Sequence, residues 1–250
     1  MVATEPRVRI AYDDAGGGDP AVVLMHGLFE DRSYYTAQVR HLSKRHRVLN
    51  IDLRGHGESD VPKAGYTLDS LADDVVRVLD GSDVQRAVLC SHSMALALRV
   101  ATRRPDLAAG VVLLDGALLI VPPALEGLRR MVEALDGDGW RDALLGFFTS
   151  VAGAAEPRVR ADIAVAPRWY AAPILREIIA CNSTVHPREL AALECPLLYV
   201  HGDMPLDLDQ LRAAQPDAIV EEIPGAGHYV MLTAPDRLNA LLDRFLEVIR

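Results

Sequence analysis

Cys90-Ser91-His92-Ser93-Met94-Ala95 sits between two segments of opposite character. Before it, Ala87–Cys90 is a short continuous apolar run of the kind that forms a strand buried on both faces; after it, Leu96–Arg103 has helical spacing. A serine held at so sharp a strand-to-helix turn presents its hydroxyl at the edge of a sheet, provided the residues two before and two after it are small. Glycine usually fills both places. Here they are Ser91 and Ala95, small but not glycine. A serine at a helix start is more often an N-cap than a reactive group, and the surrounding segments decide between the two.

Outward from this turn the chain alternates. Val8–Tyr12 reads as an edge strand, Ala21–Met25 as a buried strand, and Arg47–Ile51, Gly110–Leu114, Pro196–Val200 and Ala218–Ile223 as further strands. Helical patterns fall between them at Tyr34–Lys44 and at Leu68–Leu79, and an amphipathic helix over Pro235–Arg250 closes the chain. Strands alternating with helices imply parallel crossovers and a doubly wound α/β sheet. The rhythm breaks between Ala117 and Ala191, where the patterns are helical (Ala124–Leu135, Trp140–Phe148, Pro173–Ile179). This stretch is expected to be a helical cap, residues 117–191, inserted into a core made of residues 1–116 and 192–250.

Bulk properties narrow the classes of function. Of 250 residues, 50% are apolar, enough for a large core, and the net charge of −9 argues against a nucleic-acid or anionic-membrane partner. No run of 18 apolar residues is present, so no membrane span is expected, and Met1–Arg9 shows no apolar segment of a secretory signal. Cys90, Cys181 and Cys195 lack the spacing of a disulfide framework or a zinc site and read as reduced thiols of a cytoplasmic protein. Oligomeric state leaves no trace in the sequence.

Three further motifs accompany the serine. His26-Gly27-Leu28-Phe29 ends the Ala21–Met25 strand, where a backbone N–H can pair with the one following Ser93 to hold a developing oxyanion; Leu28 and Met94 are the expected donors, with His26 and Phe29 beside them. Asp52-Leu53-Arg54-Gly55-His56-Gly57-Glu58-Ser59 is a polar glycine loop that needs no role beyond shaping the mouth of the sheet. Pro224-Gly225-Ala226-Gly227-His228-Tyr229 follows the last strand, and its glycines let the loop aim His228 at the sheet edge, where a histidine suits proton transfer at neutral pH. His92, beside Ser93, is expected to pack or hydrogen-bond rather than to act as a second base, because neighbours in a tight turn point apart. Trp140, Phe147, Phe148, Trp169 and Tyr170 can line an apolar pocket above Ser93 or pack the insert onto the sheet.

These four motifs, in this order and over essentially the whole chain, resemble the α/β-hydrolase superfamily. The resemblance implies a mostly parallel eight-stranded sheet with a helical cap after the sixth strand, Ser93 as nucleophile and His228 as general base. It also implies acyl-enzyme chemistry on a small apolar ester, lactone, thioester or related bond, without metal or organic cofactor. The acid departs from the usual pattern, because Pro205 in His201-Gly202-Asp203-Met204-Pro205 occupies its expected place. Asp115, at the end of the sixth strand, is preferred, with Asp203 and Asp207 as alternatives. Two other functions remain open on this fold. One is a cofactor-free oxygenase or lyase using the His/Asp pair alone, since the Ser-His-Ser stretch and the sixth-strand aspartate resemble the quinolone dioxygenases. The other is a small-ligand receptor.

Overall fold

A computed structural model describes residues 8–202 and 204–249. Its centre is a seven-stranded sheet in the order β1-β3-β2-β4-β5-β6-β7, formed by β1 (Tyr12–Ala15), β2 (Ala21–Met25), β3 (Val48–Ile51), β4 (Ala87–His92), β5 (Ala108–Leu114), β6 (Leu197–His201) and β7 (Ile219–Glu222). All neighbours are parallel except β1, which runs antiparallel to β3. β2 and β4 are buried along their whole length, as uninterrupted apolar runs in a sheet covered on both faces must be.

The winding direction reverses between β2 and β4: from β2 the chain moves outward to β3, then starts again on the other side at β4. The crevice beyond the carboxyl ends of two such strands is where open α/β sheets bind ligands. Here it receives the segment after β2, beginning at His26, and the turn after β4, centred on Ser93.

Sheet-covering helices are α1 (Thr36–Leu42), α2 (Leu68–Gly81) and α3 (Leu96–Arg103). Between β5 and β6 come α4 (Pro122–Ala134), α5 (Trp140–Ser150), α6 (Glu156–Val165), α7 (Arg168–Cys181) and α8 (His186–Ala191), and after β6 come α9 (Leu208–Ala214), α10 (Val230–Thr233) and α11 (Pro235–Ile249). None of the described helices is long and apolar enough to cross a membrane. The helical insert is tied to the sheet side at several points. Arg158 of α6 reaches Asp31 (3.2 Å) and the Ser33 hydroxyl (2.9 Å), and Asp162 accepts from Tyr34 (2.6 Å). Leu68 N–H donates to Glu177 of α7 (2.7 Å); within the insert, Asn182 pairs with both backbone groups of Ile120.

Three sequence expectations change. Seven strands, not eight, are present among the described residues, so the insert follows the fifth of them; residues 1–7, part of the segment read for a leader, lie outside the description. Val8–Ala11, read as most of an edge strand, forms no ladder, because its backbone bonds to the loop at Ser59 and Asp60 instead. The helix placed at Pro173–Ile179 begins five residues earlier, at Arg168, with Pro173 inside it.

α11 packs so closely on β5 that a Cβ at Gly110 would lie 2.7 Å from Ile249 Cδ1 and 3.1 Å from the Phe245 ring. Gly110→Val is therefore expected to destabilise the fold by about 1–3 kcal/mol, read as a melting temperature lowered by about 2–4 °C per kcal/mol. An unchanged melting temperature would show that α11 does not bear on Gly110.

Candidate active site

Ser93 is the residue between β4 and α3, and it adopts a left-handed backbone (φ +59°). Such a conformation costs a non-glycine residue on the order of 1–3 kcal/mol and persists only where the surroundings impose it. They do so through the exit of β5: Ser93 N–H donates to the Leu114 carbonyl (3.0 Å), and the Ser93 carbonyl accepts from Ala117 N–H. The places usually held by glycine are filled differently. Ser91, fully buried, donates to the Met94 carbonyl (2.9 Å) and accepts from Ala97 N–H (3.1 Å), so its hydroxyl staples the turn and caps the start of α3.

Asp115 lies within the segment that grips Ser93, one residue beyond the β5 partner of His92. Its own φ is +45° and its side chain is fully buried. One carboxylate oxygen accepts from His228 Nδ1 at 2.6 Å; the other accepts from Gly202 N–H (2.7 Å), and Met204 N–H lies 3.0 Å from both. Burial works to raise the Asp115 pKa, but the His228 hydrogen bond and charge and these two amides outweigh it, so the carboxyl sits below the ordinary aspartate range. Gly202 has to be glycine, since a Cβ there would collide with the Gly227 carbonyl and lie 3.0 Å from the Asp115 carboxyl carbon. Of the other aspartates considered, Asp207 caps α9 by accepting from Gln210 N–H (2.9 Å), and Asp203 lies outside the described residues.

Ser93, Asp115 and His228 form the polar floor of a cavity of about 280 Å³. Its walls are apolar side chains of the insert, among them Leu128 from α4, Phe147 and Phe148 from α5, and Leu175 and Ile178 from α7, and among the described residues no lysine or arginine lines it. The insert also touches the histidine directly, with His228 N–H donating to the Val151 carbonyl (3.0 Å). The Ser93 hydroxyl forms no hydrogen bond among the described residues. Of the five aromatics noted in the sequence, Phe147 and Phe148 line the cavity; Trp140 is partly buried against the core, Trp169 is about half exposed and Tyr170 packs on Phe29.

The two backbone donors expected for an oxyanion stand in different states. Leu28 N–H has no acceptor among the described residues, whereas Met94 N–H closes the turn on the His92 carbonyl (2.6 Å). His26 and Phe29 do not line the cavity. His26 donates from Nδ1 to the Gly27 carbonyl and accepts Leu53 N–H on Nε2 (3.0 Å), and His56 accepts Phe29 N–H (3.3 Å) while donating to the Arg54 carbonyl. Accepting on one nitrogen keeps each ring neutral. Burial accordingly lowers the His26 pKa, and burial together with the neighbouring His26 pushes His56 down to about 3. Glu30, which no motif in the sequence marks, lies buried behind this loop against His92. Among the described residues no group of three or more His, Cys, Asp or Glu is placed to hold a metal ion.

Comparison with known proteins identifies the family. The model of the alpha/beta hydrolase family matches residues 22–241. The chain belongs to that family. It is 26% identical over 260 residues to the 2-(acetamidomethylene)succinate hydrolase of Mesorhizobium japonicum, covering 96% of this chain and 92% of the relative. Among solved structures it resembles a thermophilic esterase from Thermogutta terrifontis (26% identity, TM-score 0.80, covering 99% of this chain and 96% of the other). It also resembles the enol-lactonase of Burkholderia xenovorans LB400 (25% identity, TM-score 0.78, covering 96% and 97%). As a member of the alpha/beta hydrolase family the chain is an enzyme, and its class of activity is hydrolysis.

The Asp115 environment sets a dependence on acid. A carboxyl whose pKa is lower folded than unfolded stabilises the fold above the unfolded value of about 3.9, and that contribution disappears as pH falls through the folded value. The unfolding free energies of wild type and Asp115→Asn, measured in urea, are expected to differ by about 1–3 kcal/mol at neutral pH, and the gap to close in strong acid. A gap independent of pH would mean that Asp115 is not held as a carboxylate.

Proposed function

We propose that the chain is a serine hydrolase in which Ser93 attacks an acyl carbon, His228 takes its proton, and Asp115 orients and stabilises the imidazolium. The observation that carries this reading is the Asp115–His228 hydrogen bond of 2.6 Å on the floor of the cavity that also receives Ser93. With Nδ1–H donated to Asp115, Nε2 is the nitrogen left to accept the serine proton. The strained backbone at Ser93 supports the same role, because it holds the side chain out of the turn. Leu28 N–H, with no competing acceptor, would serve the oxyanion. Met94 N–H would join it by exchanging its bond to the His92 carbonyl for one to the developing charge, each such donor being worth about 3 kcal/mol. Water then releases the acyl group.

The cavity supports a substrate class. About 280 Å³ walled by apolar side chains equals the liquid volume of about nine water molecules, room for an acyl, aryl or lactone portion of comparable size. A carboxylate placed there would lose its hydration without gaining a cationic partner. The substrate is thus read as a small neutral ester, lactone, thioester or related acyl compound, and residues 117–191 as a cap over a core of 1–116 and 192–250.

The dyad-only alternative, an oxygenase or lyase, draws on one observation: the Ser93 hydroxyl is not hydrogen-bonded to His228. Hydrolases often tighten that contact only when substrate is bound, so the two readings part in their chemistry. Fluorophosphonate is expected to label Ser93 stoichiometrically. Ser93→Ala and Asp115→Asn should each lower ester turnover by about 10⁴-fold, with Asp207→Asn close to wild type and removal of dioxygen without effect. Neutral p-nitrophenyl butyrate should be preferred over its ω-carboxylate analogue. Oxygen-dependent turnover that survives Ser93→Ala would reject the serine-hydrolase reading.

A further inference from the structure

Directly behind the proposed catalytic residues lies a second buried acid–histidine pair that the mechanism above leaves unused. Glu30 and His92 are 4% and 0% exposed, and Glu30 Oε1 accepts from His92 Nδ1 at 2.6 Å. The other Glu30 oxygen accepts from Gly27 N–H (2.7 Å), and His92 Nε2 donates to the backbone carbonyl of His228 (2.9 Å). The bonds run end to end from the loop that carries Leu28, through the residue preceding Ser93, to the main chain of His228. These segments are far apart in sequence, and the Glu30–His92 pair links all three.

The chemistry of the partners fixes the protons. A carbonyl oxygen only accepts, so His92 Nε2 must carry a hydrogen. The contact between Nδ1 and Oε1 holds one further proton, and with His92 held above and Glu30 below its ordinary pKa that proton rests on the ring, making the pair imidazolium and carboxylate. Burial disfavours both charges, yet the pair's mutual attraction outweighs it, raising the pKa of His92 and lowering that of Glu30. The pair also accounts for the glycine of the His26-Gly27 motif. A Cβ at position 27 would stand 2.5 Å from Glu30 Oε1 and 2.8 Å from His92 Nδ1.

We infer that Glu30 and His92 are positioning residues: a buried ion pair that locks the Leu28 loop and the His228 backbone into one rigid unit around Ser93. The inference rests on the serine-hydrolase reading. Its mechanical content is that the oxyanion donor and the base keep their relative placement only while both links of the pair are intact. The His92 ring, centred 4.5 Å from that of His228, additionally fills the space into which the base would swing. Neither Glu30 nor His92 lines the cavity, so cutting the pair should disturb the reaction rather than the affinity for substrate.

The test uses Glu30→Gln, His92→Gln and the double variant of the full-length enzyme, assayed on p-nitrophenyl butyrate. Each single variant is expected to lose about 10- to 100-fold in kcat with KM changed by less than about threefold. The double variant should fall no further than the deeper single one, because a chain of bonds is broken only once. Wild-type kcat in either single variant, a loss confined to KM, or losses that multiply in the double variant would each overturn the inference. Nitrogen-15 spectra of ring-labelled histidine in the wild type give a readout that needs no variant to fold. At about pH 7, above the ordinary histidine pKa of about 6.5, His92 should show both ring nitrogens protonated; a neutral His92 ring overturns the inference. A wild type that neither cleaves esters nor labels at Ser93 rejects the hydrolase reading, and this inference with it. An active wild type with indifferent variants rejects the positioning role alone.

Discussion

The site depends on one backbone arrangement, the grip of the β5 exit on Ser93. The Leu114 carbonyl holds the serine N–H and Ala117 N–H holds its carbonyl, so the left-handed turn cannot relax without separating β4 from β5. Asp115 is one of the two residues between the gripping positions and is itself left-handed. Acid and serine are therefore placed by the same pair of hydrogen-bonded strands, and the distance between them is fixed by sheet register rather than by the flexibility of a loop. An acid at this position needs no long excursion after β6. What β6 supplies instead is Gly202, whose amide and lack of side chain let the Gly227 carbonyl and the Asp115 carboxylate meet.

Burial sorts the histidines around this frame by their partners. His26 and His56 each accept a backbone N–H and each donate to a carbonyl, which a neutral ring can do. His92 faces a carboxylate on one side and a carbonyl on the other, and its proton balance is tilted toward the charged ring. His228 has a carboxylate on Nδ1 and the cavity on the other side of the ring. One residue type thus meets three different sets of partners within a single cluster.

Much of this was legible because burial in a parallel sheet writes itself into the sequence. Ala21–Met25, Ala87–Cys90 and Gly110–Leu114 are apolar without interruption, and the strands they mark bring His26, Ser93 and Asp115 to one edge. Other features left weaker marks. Glu30 looks like any loop carboxylate, and its burial follows from His92, 62 residues away. The start of α7 was obscured by Pro173, which a helix tolerates near its first turns more readily than in its middle. Val8–Ala11 has strand-like residues but meets a loop rather than a strand, which composition does not encode. Pro205 stands where the usual pattern has its acid, and the amides of Gly202 and Met204 just before it bond the Asp115 carboxylate.

The attachments of the insert consist of two kinds of bond with opposite responses to their solution. At its α6 edge, Arg158, Asp162 and Asp31 are partly exposed, with Arg158 at 44% and Asp31 at 34% side-chain accessibility. Over Ser93 the same insert presents apolar side chains, among them Leu128, Phe148 and Leu175. Dissolved ions screen the first attachment, and strongly hydrated salts such as sulfate tighten the second. Ionic composition thus sets which end of the insert is the looser one. Added sulfate weakens the charged rim while it strengthens the apolar contact, so the balance between the two attachments is a property of the medium as well as of the fold.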